Sequence, residues 1–154
     1  MEPNEKSETT YYNSNYTHGV DDKRRVQIPA KWRPAELGTE LTVMVWTKDK
    51  VGPCLRVLPP AAMAKTVRDI DAMPNSDPSK PVLKRLIGSG SEQVTLDKAG
   101  RICLPEKMAK DAGIEKEAVL VGCLDRYEIW SSARYEGVKA SDASMAQEAF
   151  KLME

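Results

Sequence analysis

The stretch "VDDKRRVQIP" at residues 20–29 occurs again, in altered form, as "LDKAGRICLP" at residues 96–105. Both segments read apolar residue, Asp, three residues, Arg, apolar residue, any residue, apolar residue, Pro. The second copy follows the first at a constant offset of 76 positions. Such self-similarity indicates a duplicated structural unit, and two copies are too few for a solenoid.

Each copy has the same predicted secondary structure. An alternating strand, carrying Tyr16, His18 and Val20 in the first copy, comes before the Asp-x-x-x-Arg turn, and a second alternating strand follows it. Period-2 alternation on both sides of a short polar turn is typical of a β-hairpin. Pro29 and Pro105 then end the second strand and precede a short helix, where a missing N–H costs little. Two further strands and a longer helix complete each copy.

Several helices can be placed from the sequence. The segment "EKMAKDA" predicts the short helix of the second copy, with Gly113 as its left-handed cap and Ile114 as the apolar residue behind the cap. The segment "PAAMAKTVRDIDAM" predicts a longer helix that ends before Pro74, because its apolar residues recur at helical spacing. The segment "VLKRLIGSG" predicts a short helix before the second hairpin.

The sequence therefore predicts an α+β protein. Two tandem units of β-hairpin, short helix and β-strand form one compact pseudo-twofold domain, followed by a C-terminal helix. The predicted divisions are a flexible N-terminal tail at residues 1–13, the first unit at 14–75, a linker and short helix at 76–90, the second unit at 91–136 and the C-terminal helix at 137–154.

Composition narrows the class of protein. The chain has 154 residues, of which 41% are hydrophobic, enough for one domain with a core. No run of about 18 apolar residues is present, so we expect no membrane partner. The first ten residues, "MEPNEKSETT", lack the apolar segment of a signal peptide, and we therefore expect a cytoplasmic location.

Neither an enzyme nor a cofactor is expected. The chain has one histidine and no CxxC motif, which argues against a zinc site or any other metal site. No P-loop, GxGxxG or nucleophile motif occurs, and no small-molecule substrate is expected. The three cysteines are scattered in apolar stretches, and the simplest interpretation makes them small buried hydrophobic residues.

Positive charge is concentrated locally, although the formal net charge is zero. The basic residues between positions 22 and 33 are Lys23, Arg24, Arg25, Lys31 and Arg33, against one acidic residue. Binding to a polyanion depends on where charge lies and not on its sum.

The repeated turn has a structural and a functional interpretation. Asp21 and Asp97 are predicted to form the turns by accepting backbone N–H bonds, together with Gly100. For Asp97 this leaves a purely structural role and a functional one open. Arg25 and Arg101 are predicted to face outward, because a guanidinium fork suits phosphate oxygens or a guanine edge.

Further basic residues are predicted beside Arg25 and Arg101. Lys23, Arg24 and Lys98 are predicted at the turn tips as further DNA-binding residues. One hairpin with two or three basic residues binds DNA weakly, whereas several on one face of an oligomer gain by avidity. Double-stranded DNA is therefore the expected partner if the chain forms a homo-oligomer.

These motifs together resemble the MraZ transcriptional regulators, relatives of the AbrB-type swapped-hairpin DNA-binding proteins. The resemblance covers roughly residues 16–136 and is carried by the segments "VDDKRRVQIPAKWR", "CLRVLP", "VLKRLIGSGSE", "LDKAGRICLPEKMAKDAGIEKEAVLVG" and "YEIW". It implies a ring of identical subunits that binds short direct repeats in the promoter of a division and cell-wall gene cluster, usually as a repressor. It also implies a nucleoid-associated location and DNA contacts by Lys23, Arg25 and Arg101.

The sequence departs from the family pattern at the first turn. Arg24 stands where the family has glycine, whereas Gly100 keeps the glycine in the second turn. Arg24 predicts either a strained left-handed residue or a different turn, and Arg24→Gly is expected to raise stability. An alternative function remains open, namely an antitoxin-like or scaffold protein-interaction module of the same fold.

Overall fold

The computed structural model describes residues 11–47 and 50–154. Its strands are β1 (Asn15–Gly19), β2 (Arg25–Gln27), β3 (Leu41–Trp46), β4 (Cys54–Leu58), β5 (Ser91–Val94), β6 (Arg101–Cys103), β7 (Glu117–Gly122) and β8 (Tyr127–Ser131). Its helices are α1 (Pro60–Asp71), α2 (Ser79–Ser89), α3 (Glu106–Asp111) and α4 (Ser132–Lys151). Strands β2 and β6, and likewise β3 and β7, are 76 positions apart along the chain, which confirms the duplication.

The described strands form a six-stranded antiparallel sheet, in the order β1-β7-β8-β4-β3-β5, and a separate two-stranded ribbon of β2 and β6. The two units exchange strands. Strand β1 of the first unit pairs with β7 of the second, and β5 of the second unit pairs with β3 of the first. The central pair β4 and β8 joins the units, so the sheet order is symmetric about that pair.

The predicted hairpins are corrected by this exchange. The strands on either side of the first turn share one bridge, Val20 with Val26, and then separate into different sheets. Beyond that bridge, β2 pairs with β6 and not with β1. The turn itself was predicted correctly, but the strand partners come from the other unit. A short polar turn specifies that the chain reverses direction, but it carries no information about which strand becomes the hydrogen-bonded partner.

The main core lies between the ribbon and the large sheet. Val26, Ile28, Ile102 and Leu104 have no exposed surface, because alternate residues of β2, β6 and their extensions point inward. Trp32 packs with its ring centroid 4.9 Å from that of Tyr127. Both units therefore bury their apolar residues in one shared core, which confirms the α+β fold with one compact domain.

The short helices differ between the units. In the second unit α3 ends as predicted, because Gly113 has φ of 69° and the Ile114 N–H donates to the Ala109 carbonyl at 2.9 Å. In the first unit the corresponding segment is a single 3-10 turn, Ala30–Trp32. The duplicated units are thus equivalent in their strands and not in these helices.

Other predicted boundaries shift by a few residues. Helix α2 begins at Ser79, inside the predicted linker, because Pro81 is tolerated in a first helical turn. Helix α4 begins at Ser132, with the Ser131 side chain accepting from the Arg134 N–H. Within the predicted apolar stripe of α1, Met63 packs against the core, whereas Val67 is 46% exposed.

The predicted N-terminal tail is too long. Residues 1–10 lie outside the described residues. Tyr12, near the end of that tail, is buried and exchanges two backbone hydrogen bonds with Leu124, at 2.8 and 3.1 Å. Its aromatic ring reaches the shared core, which polar composition alone did not reveal. No described helix is both long enough and apolar enough to cross a membrane.

Candidate nucleic-acid interface

The ribbon presents one buried and one outward face. Val26 and Ile102 pair with each other and point into the core. The neighbouring pairs, Arg25 with Cys103 and Gln27 with Arg101, therefore share the opposite face. In this register Arg25 and Arg101 are diagonal neighbours, with Cα atoms about 7–8 Å apart in a typical antiparallel pair. The fold thus brings together two arginines that lie 76 positions apart in the sequence.

The two turns lie at opposite ends of this ribbon and have the same backbone geometry. In the first turn the Arg24 N–H donates to the Asp21 carbonyl at 2.9 Å, and in the second the Gly100 N–H donates to the Asp97 carbonyl at 2.9 Å. Arg24 has φ of 62° and Gly100 has φ of 79°. Of the two possibilities for Arg24, the structure therefore has the strained left-handed residue and not a different turn.

Each aspartate forms its turn and holds its arginine. The Asp21 carboxylate accepts from the backbone N–H of Lys23 and of Arg25, and its Oδ2 lies 2.7 Å from the Arg25 Nε. The Asp97 carboxylate accepts from the backbone N–H of Ala99 and of Arg101, and its Oδ2 lies 2.9 Å from the Arg101 Nε. Both carboxylates therefore bind the backbone of their own turn.

These bonds change the acidity of the carboxylates. The backbone N–H of Arg25 is the largest influence that lowers the pKa of Asp21, and the backbone N–H of Arg101 acts likewise on the pKa of Asp97. The hydrogen bond that Arg25 donates to the Asp21 carboxylate raises the pKa of Arg25. Each arginine is thus held through Nε, with about a third of its side chain exposed. A guanidinium has five N–H donors in a fixed fork, so one bond through Nε leaves donors for a further partner.

Arg24 does not only add charge to the tip of the first turn. Its Nε donates to the Leu104 carbonyl at 3.0 Å, so the side chain lies back along the ribbon. At the other end of the ribbon Arg33 performs the equivalent contact, because its Nε donates to the Ile28 carbonyl at 2.8 Å. The Arg33 guanidinium crosses over Gly100, where a Cβ atom would overlap it.

The lysines at the tips are the most accessible cations of the site. Lys23 and Lys98 are exposed, as predicted from their places in the turns. They are not equivalent, since Lys98 matches Asp22 at the 76-residue offset and Lys23 matches Ala99. The first turn therefore carries a second acidic residue, Asp22, in addition to Asp21, whereas the second turn has Asp97 alone.

Two residues of the outward face were not anticipated. Cys103 was predicted to be a buried hydrophobic residue, but it is exposed, because its neighbours Ile102 and Leu104 take the inward positions. Of the other cysteines, Cys54 is buried and Cys123 is half-buried. Gln27 lies across from Arg101, and alternation from Val26 could have placed it outward. Its cross-strand partner could not be predicted, because the pairing joins distant units.

The exchanged strands and the ribbon with a basic outward face define a protein built from two tandem, strand-exchanged units. Comparisons with known proteins identify its family. A family model described as "MraZ protein, putative antitoxin-like" matches residues 87–152.

Three relatives carry the name transcriptional regulator MraZ. The protein of Acidithiobacillus ferrooxidans is 33% identical over 129 residues, covering 81% of this chain and 85% of its own. That of Roseiflexus sp. is 33% identical over 140 residues, covering 90% and 94%. That of Halothermothrix orenii is 33% identical over 139 residues, covering 90% and 94%. The chain belongs to the MraZ family of transcriptional regulators.

Proposed function

We propose that this protein is a sequence-specific DNA-binding regulator that represses a division and cell-wall gene cluster. It binds short direct repeats in promoter DNA as a ring-shaped homo-oligomer and is associated with the nucleoid. The observation that carries the proposal is the outward face of the β2–β6 ribbon, where Arg25 and Arg101 are diagonal neighbours. A two-stranded ribbon fits the major groove, where arginine forks can bind guanine edges or phosphates.

Within this interface the residues have different roles. Arg25 and Arg101 are oriented by Asp21 and Asp97 and are suited to directional contacts. Lys23 and Lys98 are exposed point charges suited to phosphates. Arg24 is engaged with the Leu104 carbonyl through Nε, so its contribution to DNA is mainly that of a nearby positive charge.

Self-association is supported by the C-terminal end of α4 and the residues that follow it. Phe150, Leu152 and Met153 are 73%, 86% and 85% exposed in the single chain. Exposed apolar clusters of this kind are typical of interaction sites. A ring would place many ribbons on one face and gain affinity through avidity when the DNA repeats match their spacing.

Promoter DNA from the chain's own division gene cluster provides the test, in mobility shifts at several salt concentrations. Affinity is expected to fall steeply with salt, and Lys23→Ala or Lys98→Ala should reduce the log–log slope by about 0.9 for each phosphate that the protein no longer neutralises. Arg25→Ala and Arg101→Ala should also reduce preference for promoter DNA over unrelated DNA. The matched control is Lys139→Ala, since Lys139 is exposed on α4, away from the ribbon.

Light scattering on the same samples tests the ring. A monomer that binds promoter DNA would contradict the avidity argument. Binding that is independent of salt, or that Arg25→Ala leaves unchanged, would contradict the DNA-binding role of the ribbon.

A second candidate function is an antitoxin-like or scaffold module that captures a partner protein. The description of the matching family favours it through the words "antitoxin-like". Partner-capturing tails are often disordered, whereas α4 here continues as a helix to Lys151. Recovery of a stoichiometric partner protein, together with no affinity for promoter DNA, would support this second function over the first.

A further inference from the structure

Two side chains on the outward face of the ribbon cross from one unit to the turn of the other. The Gln27 Nε2 donates to the Ala99 carbonyl at 2.8 Å. The Cys103 Sγ donates to the Lys23 carbonyl at 3.4 Å. Gln27 and Cys103 are 76 positions apart, and so are their acceptors. The two contacts are therefore the same contact in the two halves of the ribbon.

The chemical strengths of these two contacts differ. An amide N–H is a full hydrogen-bond donor, and 2.8 Å is a short distance for N–H to O. A thiol is a weak donor, and 3.4 Å from sulfur to oxygen is correspondingly a weak contact. The carbonyl groups that accept these bonds lie near the turn tips, one residue after Lys98 in the second turn and at Lys23 itself in the first. Each bond therefore restrains the backbone that carries a tip lysine.

We propose that Gln27 is a positioning residue for the second turn, and that Cys103 leaves the first turn more weakly held. The two halves of the ribbon then differ: the backbone of the second turn is held in place before DNA binds, and the backbone of the first turn can adjust. The consequence for DNA rests on the proposed function above. The second turn binds DNA at lower ordering cost, because its lysine is carried on backbone that Gln27 already restrains.

Amide hydrogen exchange on the full chain, followed by NMR without DNA, tests the restraint itself. In the wild type, the Ala99 and Gly100 amides should exchange more slowly than the Lys23 and Arg24 amides. Gln27→Met keeps the side-chain length and removes the donor, and it should speed exchange at Ala99 and Gly100 by about threefold to tenfold. Exchange at Lys23 and Arg24 should not change.

The reciprocal variant strengthens the weak half. Cys103→Gln supplies an amide where the thiol lies, and it should slow exchange at Lys23 and Arg24 by about threefold to tenfold. Unchanged rates in both variants, or equal changes in both turns, would overturn the proposal, since equal changes indicate a general loss of stability.

DNA affinity gives a readout that a purely structural role would not move. Gln27→Met should weaken binding about threefold to tenfold, and Lys98→Ala should then cost less in that background than in the wild type. Lys23→Ala should cost the same in both backgrounds. A lower affinity with unchanged exchange at Ala99 would instead make Gln27 a direct DNA contact and overturn its positioning role. If the wild type fails to bind DNA, the proposed function fails, while the exchange experiment still tests the restraint.

Discussion

The Nε of Arg24 lies 3.0 Å from the Leu104 carbonyl oxygen and donates a hydrogen bond to it. At the equivalent place in the other half, the Arg33 Nε donates to the Ile28 carbonyl at 2.8 Å. The two carbonyl groups are 76 residues apart, but the two arginines come from different positions of the repeat. Both ends of the ribbon therefore have an arginine Nε that donates to the equivalent carbonyl, but the arginine is supplied in two different ways. The second unit keeps Gly100 in its turn, and Arg33 of the first unit lies over that glycine. The first unit instead has Arg24 in the turn itself.

This relationship reverses the expected effect of Arg24→Gly. Glycine removes a left-handed strain of about 1–2 kcal/mol, but it also leaves the buried Leu104 carbonyl without this donor, at about 1–3 kcal/mol. We expect Arg24→Gly to lower the free energy of unfolding slightly, by about 0.5 kcal/mol. Arg24→Ala keeps the strain and removes the hydrogen bond, so it should lower the free energy of unfolding by about 2 kcal/mol. Urea unfolding of both variants measures the difference, and a stability gain for glycine would show that the strain relieved exceeds the contribution of the bond.

Gly100→Ala should be costly for the complementary reason. Its φ of 79° disfavours a side chain, and the new Cβ would displace the Arg33 guanidinium from its place beside the Ile28 carbonyl. We expect the free energy of unfolding to fall by about 2–3 kcal/mol. Gly88→Ala is the matched control, because a Cβ there meets nothing within 4 Å, and it should raise helix stability by about 0.5 kcal/mol. Thermal unfolding of the two variants in parallel separates local strain from the general effect of adding a methyl group.

The aspartates of the turns predict a pH dependence. Hydrogen bonds from the Arg101 backbone lower the pKa of folded Asp97, so the charged form stabilises the folded protein. This contribution is fully present above the unfolded pKa of about 3.9 and is lost as pH falls through the lower folded pKa. Asp97→Asn should therefore reduce the free energy of unfolding, because it sets an amide donor against the Arg101 Nε. The reduction should be the same at pH 7 and at pH 5, since the wild-type carboxylate is charged at both.

The comparison between wild type and Asp97→Asn can be followed by urea unfolding at a series of pH values. The difference should shrink only below about pH 4, as the wild-type carboxylate becomes protonated. A difference that already shrinks between pH 7 and pH 5 would mean that the pKa of Asp97 is raised in the folded protein.

Arg134 is predicted to stabilise the junction between the units. Its Nη1 donates to the Pro53 carbonyl at 2.7 Å and to the Asp111 carbonyl at 3.1 Å, one from each unit. Arg134→Ala should lower the free energy of unfolding by about 2 kcal/mol, since both acceptors are left without a charged donor. Arg134→Lys should recover less than half, because an ammonium lacks the planar fork. Lys139→Ala on the same helix should change stability by less than about 0.5 kcal/mol.

The sequence by itself determined the repeat, the turns and the positions of the strands. The offset of 76 residues predicted equivalent elements, and β2 and β6 are found at that spacing. The Asp-x-x-x-Arg pattern predicted a carboxylate that binds the turn backbone. These features follow from the sequence because they depend on residues only a few positions apart.

Only the tertiary structure decided which strands pair and what the ribbon face contains. Strand β2 pairs with β6 of the other unit, and this register places Gln27 opposite Arg101. The same exchange exposes Cys103 and draws Tyr12 into the core. Period-2 alternation tells which face a residue takes and not which strand lies beside it. The partner is selected by closing one apolar core shared by both units, a property of the whole chain that no local segment encodes.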